Sequence, residues 1–139
     1  MRFVTPLLVA LLLLGCGTGS DIDTVAKLAD ALKEEGLAWK TMDELDRGRV
    51  KPKRAIQEAY ELAGDGLAVE VYRVEDETFF KTAAVGLVMR AGFEPGDSEN
   101  ALVDVCVSHP FLLAVVEEPE EQAVRKALSR VFPTEQPSD

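Results

Sequence analysis

Residues 59–74 read Ala-Tyr-Glu-Leu-Ala-Gly-Asp-Gly-Leu-Ala-Val-Glu-Val-Tyr-Arg-Val. Asp65-Gly66 between two apolar-bearing runs is a hairpin signal, because the tight turn needs positive φ and glycine adopts it without a steric penalty. On the far side, Leu67, Val69 and Val71 alternate with Ala68, Glu70 and Tyr72, the two-residue period of a strand over 67–74. The near side supports two readings. Pro52, then Ile56, Ala59, Tyr60 and Ala63 closed by Gly64, fits a helix; residues 59–63 equally fit a strand pairing across the turn. The hairpin is favoured, and whether 52–64 is helix or strand stays open.

Downstream, Asp76 caps a helix over 77–91 whose buried stripe is Phe80, Ala83, Ala84, Leu87 and Val88, with Gly92 closing it. Residues 94–100 form a Pro/Gly/Asp loop. Strands are expected over 101–107 and 111–117 around Ser108-His109-Pro110, since proline cannot donate to a ladder and belongs at the turn. Residues 111–116 are apolar on both faces, as an inner strand requires. Pro119 fits the first position of a last helix. Glu117, Glu118, Glu120 and Glu121 complement the positive end of its dipole. Its core face carries Ala123, Val124, Ala127, Leu128, Val131 and Phe132.

Upstream, Asp23 is placed to cap a helix over 24–35, with Val25, Leu28, Ala29 and Leu32 on one stripe and Gly36 just past its end. Leu37, Trp39 and Thr41 alternate in a short strand within 37–45, and 46–54 is a polar loop. No internal repeat is visible. The pattern predicts a single α+β domain over 23–132, a mainly antiparallel sheet with about three packed helices, followed by a disordered polar tail over 133–139.

The first 16 residues are of a different kind. Met1-Arg2 is a short basic start, and residues 3–14 are apolar apart from Thr5 and Pro6. That run is too short to span a bilayer, which takes about 20 residues, and reads as a cleaved secretory signal. Leu13, Leu14, Gly15 and Cys16 match the lipobox, and the segment resembles the signal of bacterial lipoproteins. The resemblance implies that 1–15 is removed and that Cys16 takes a diacylglycerol, with a third acyl chain on the new amino group. Each buried CH₂ contributes about 0.8 kcal/mol, so two or three chains anchor stably. The protein is then expected in the cell envelope, held by membrane lipid on the extracytoplasmic side of a bacterial membrane. Residues 16–22 make a tether, its flexible part only about 12 Å long by the scaling of Gly/Ser linkers. The element order, with 59–74 preceding an amphipathic helix and then 111–132, also resembles small bacterial lipoproteins without assigned function. That likeness carries no catalytic residue.

The full chain of 139 residues has 15 basic and 25 acidic side chains, a net charge of −10. Cleavage after Gly15 removes Arg2, leaving 14 against 25, or −11, over 124 residues. An acidic surface argues against nucleic acid, whose phosphates need a basic face. With Cys16 acylated, Cys106 is the remaining thiol and no intrachain disulfide can form.

Candidate chemistry is sparse. Cys106 lies three residues before His109, the single histidine, a spacing compatible with a thiolate nucleophile or half a metal site. A buried cysteine and a surface histidine is the simpler reading. Glu94, Asp97 and Glu99 have oxygens suited to Ca²⁺ but lack EF-hand spacing, so a solvated loop is favoured. Arg47, Arg49, Lys51, Lys53 and Arg54 put five cations into eight residues of an acidic chain. Beside a lipid anchor they are candidates for contact with anionic headgroups; otherwise they are a solvated loop. The expectation is a non-enzymatic envelope module without cofactor or metal that binds another envelope component or protein. A small-molecule-binding domain is the alternative, and a hydrolytic enzyme ranks third.

Overall fold

Asp65-Gly66 does close a two-residue hairpin in the computed structural model, which describes residues 22–93 and 102–133. Strand β2 (Glu58–Gly64) pairs with β3 (Leu67–Arg73) in register Gly64↔Leu67 through Glu58↔Arg73. Gly66 takes φ +75°. Gly64 is needed for another reason: a Cβ there would stand 2.3 Å from the Ala38 carbonyl oxygen. The helical reading of 52–64 is thereby excluded, leaving one 3₁₀ turn, Lys53–Ala55.

Five antiparallel strands follow the order β1-β2-β3-β5-β4, with β1 Thr41–Glu44, β4 Asp104–Ser108 and β5 Phe111–Glu117. Three helices cover the sheet: α1 (Val25–Glu34), α2 (Glu77–Phe93) and α3 (Ala123–Val131). This is the expected single α+β domain. Strand alternation sorts the core. Val69, Val71, Leu113 and Val115 pack with α1 and α3, whereas Tyr72, Leu112 and Ala114 pack with Phe80, Ala83 and Leu87 of α2. β5 is therefore buried on both faces, and each Leu or Val so buried stabilises by about 1.5–3 kcal/mol.

Boundaries correct several expectations. Thr24, not Asp23, caps α1: its hydroxyl accepts from Lys27 N, while Asp23 pairs with the Lys27 ammonium. Gly36 follows at φ +106°, with Gly36 N on Lys33 O and Leu37 N on Leu32 O. β1 uses only the last part of 37–45. Asp76 caps α2 through Phe79 N, but the helix passes Gly92 to Phe93, and Val88 is exposed rather than buried. β4 begins at Asp104, later than expected. Pro119 is not the first residue of α3. A turn intervenes, Gln122 stands at φ 63°, and the Glu118 carboxylate reaches forward to accept from Gln122 N and Val124 N. The glutamate run thus serves the helix N-terminus, by a direct cap.

The lipobox, Cys16, most of the tether, the acidic loop with Glu94, Asp97 and Glu99, and the tail beyond Pro133 lie outside the described residues. Among the described residues no helix is long and apolar enough to cross a membrane.

Candidate functional site

β4 is an edge strand, and the surface around it holds the features that fit binding. Its alternation places Asp104, Cys106 and Ser108 toward α3 and Val105 and Val107 toward the α2 side. Asp104 accepts two bonds from Arg125, from Nε at 3.0 Å and from the terminal nitrogen at 2.6 Å. Val105 N donates to Asp104 Oδ1 at 2.9 Å, and Arg125 donates to Val105 O at 2.9 Å. Both backbone groups of Val105 are thus occupied by side chains, which protects the edge from strand addition at that residue.

Between β4 and α3 lies a cleft of about 570 Å³. Val105, Cys106, Val107 and Ser108 form one wall, and Gln122, Arg125, Ser129 and Phe132 are prominent on the other. Ser108 is 3 % exposed, and its hydroxyl has no hydrogen-bond partner among the described residues. On the opposite side of β4, a groove of about 450 Å³ runs between Val88 and Ala91 of α2 and residues 102–105. Val88 and Val103 on its walls are exposed, as are Val85 and Met89 of α2 and Val107 of β4, all between 46 and 61 %. Val85, Val88 and Met89 recur at i, i+3 and i+4, one stripe of α2.

The Cys106–His109 pair is not assembled. Cys106 is buried and its thiol donates to Asp104 Oδ2 at 3.7 Å. Burial, then the Asp104 charge, push the thiol up to about 12, so it stays protonated. His109 sits in the β4–β5 turn with Nε2 2.9 Å from Glu75 O and its ring edge-on to Phe80. Among the described residues, no three of His, Cys, Asp and Glu converge as a metal site.

The basic segment is divided. Arg47 donates to Ile56 O at 3.4 Å, and Arg54 lies 5.3 Å from the Phe79 ring centroid. Arg49 pairs with Glu70 at 3.0 Å. Val50 between them is buried, so the segment is pinned to the body. Lys51 and Lys53 stand exposed.

Glu70 is the polar group that sequence reasoning passed over. It is 4 % exposed on the α2 side of β3. Its carboxylate accepts from Arg49, from Arg90 at 3.1 and 3.4 Å, and from the Tyr72 hydroxyl at 2.6 Å. Burial alone would raise its pKa, but the bonds from Arg90 and Tyr72 and the two guanidinium charges outweigh it and hold the carboxyl below its ordinary range. Burial, with Glu70 beside it, drives the Tyr72 hydroxyl upward. The available signal was one acid within an otherwise apolar strand, for a buried charge demands cations. The arrangement ties β3, the basic segment and α2 together; Glu61 stands opposite Glu70 in the β2–β3 register, while the carboxylate of Glu70 itself is held by two guanidinium groups and a hydroxyl.

Comparisons with protein-family models, curated proteins and solved structures find no match.

Proposed function

We propose that this chain is a lipid-anchored, non-enzymatic docking module of the bacterial cell envelope that binds a neighbouring protein along the α2–β4 face. The observation carrying this reading is the exposure of Val88 and Val103 on the two walls of one groove, with Val85 and Met89 exposed on the same stripe of α2 as Val88. Contiguous exposed apolar surface marks interaction sites in soluble domains. The anchor rests on Leu13, Leu14, Gly15 and Cys16, whose pattern matches a lipobox. The protonated Cys106 and the ion-paired Glu70 fit structural roles better than catalytic ones. The exposure of Lys51 and Lys53 supports contact of this segment with headgroups, whereas Arg47, Arg49 and Arg54 are engaged with Ile56 O, Glu70 and the Phe79 ring.

The test is purification of the lipidated protein from its native membrane, beside a Val88→Glu, Val103→Glu double variant. Both side chains are exposed, so the variant should fold, with stability changes within about 0.5 kcal/mol per site. A stoichiometric partner protein present with the parent and lost with the variant supports the reading. A partner retained by the variant, or a complex made only of copies of this chain, overturns it.

A further inference from the structure

The cleft on the other side of β4 has a chemistry that a protein-docking face does not need. Gln122, Arg125, Ser129 and Phe132 recur at i, i+3, i+7 and i+10, so one stripe of α3 and its caps faces the edge strand. Leu128 and Phe132, with Cys106 of β4, give the lining apolar body, and the volume of about 570 Å³ falls in the range of small-ligand sites. Ser108, on its β4 wall, is 3 % exposed, and its hydroxyl has no hydrogen-bond partner among the described residues. A polar group in that condition is costly unless something bonds it. Lys126 lines the same cleft and forms no ion pair among the described residues, in a chain of net charge −10. The acidic groups nearby are already engaged: Asp104 by Arg125, and Glu118 by Gln122 N and Val124 N.

We propose that the β4–α3 cleft binds an elongated amphipathic carboxylate, with Ser108 donating to its carboxylate, Lys126 balancing the charge and Leu128 and Phe132 covering the aliphatic tail. Each group answers one part of such a ligand. A carboxylate leaving water needs both a hydrogen bond and a cation. The lysine ammonium on its flexible stem reaches inward without a fixed fork geometry. Neutral Cys106 adds no competing negative charge beside Ser108.

The probe is a diazirine-bearing octanoate photo-crosslinked to the full chain, with labelled residues located by mass spectrometry and with octanoate, octanol and acetate as competitors. Labelling is expected within 105–108 and 122–132, displaced by octanoate but not by octanol or acetate. Ser108→Ala should weaken octanoate competition about 10- to 100-fold, the loss of one hydrogen bond to a charged group. Its melting temperature without ligand should be unchanged or higher, because an orphaned hydroxyl is removed. Lys126→Gln should also weaken competition and abolish its dependence on salt. No displaceable labelling at millimolar octanoate, equal displacement by octanol, labelling centred on the α2 strip, or unchanged competition in both variants overturns the proposal. The Val88→Glu, Val103→Glu variant should label as the parent does, which separates this site from the docking face.

Discussion

Replacing Glu70 by Gln should weaken the fold more than any exposed charge substitution, and the geometry sets the size. Oε1 accepts from Tyr72 and one Arg90 nitrogen, while Oε2 accepts from Arg49 and the other Arg90 nitrogen. A glutamine amide keeps one oxygen and presents N–H groups to donors where the other stood. Two guanidinium contacts are lost, the remaining bonds lose their charge assistance, and Arg49 and Arg90 face each other without an anion between them. Removing one member of a buried ion pair costs about 3–5 kcal/mol. The lower end applies, because the Arg49 side chain is 37 % exposed and rehydrates. With a urea m-value of about 1.5 kcal/mol/M for a domain of this size, about 3 kcal/mol moves the midpoint down by about 2 M. The pH dependence follows from the lowered carboxyl. Its unfolded value is near the ordinary 4.5 and its folded value is lower. The stabilisation is therefore complete above about pH 4.5 and is lost as pH falls through the folded value. Urea unfolding followed by circular dichroism, at pH 7 and in steps down to pH 3, reads both effects. The parent should lose stability in that acid window, and Glu70→Gln should have a flatter profile there. A midpoint shift under about 0.5 M with an unchanged acid profile would refute the reasoning.

Cys106, buried and with its thiol pushed up to about 12, should react slowly with a maleimide in the native state and fast in denaturant; rapid native labelling would contradict its placement. Gly64→Ala should destabilise by about 1–3 kcal/mol, because the new Cβ meets the Ala38 oxygen. Gly86→Ala in α2, where nothing lies within 4 Å of the added carbon, should stabilise by about 0.5–1 kcal/mol, and calorimetry of the pair checks both signs. Cys16→Ser should leave the protein unprocessed or released from membranes, with normal processing and unchanged detergent partitioning as the opposing result. Replacing Lys51 and Lys53 by Gln should reduce binding of the full chain to anionic vesicles at low salt; equal binding of parent and variant would assign these lysines to plain solvated surface.

Local chemistry determined much of this fold from the sequence alone. Asp65-Gly66 specifies a tight turn because few residues tolerate its backbone, and Leu67 to Tyr72 alternate strictly enough to require a strand. Val25, Leu28, Ala29 and Leu32 define a buried stripe, and all four lie in the core. The apolar run from Phe111 implied burial on both faces, as found. Other features needed the assembled sheet. The spacing of Ile56, Ala59, Tyr60 and Ala63 satisfies a helix and a strand alike, and pairing with β1 and β3 decided it. Val88 adjoins Leu87 in sequence, yet it lies with Val85 and Met89 on the stripe of α2 turned away from the core and is exposed. The partners of Glu70 come from 20 and 21 residues away on either side, and the β4–α3 cleft joins a strand edge to a helix across a hairpin. Turn and stripe preferences act within a few residues and are written in local order. Charge pairing and clefts arise between surfaces that meet only after the chain has folded, so tertiary structure alone decides them.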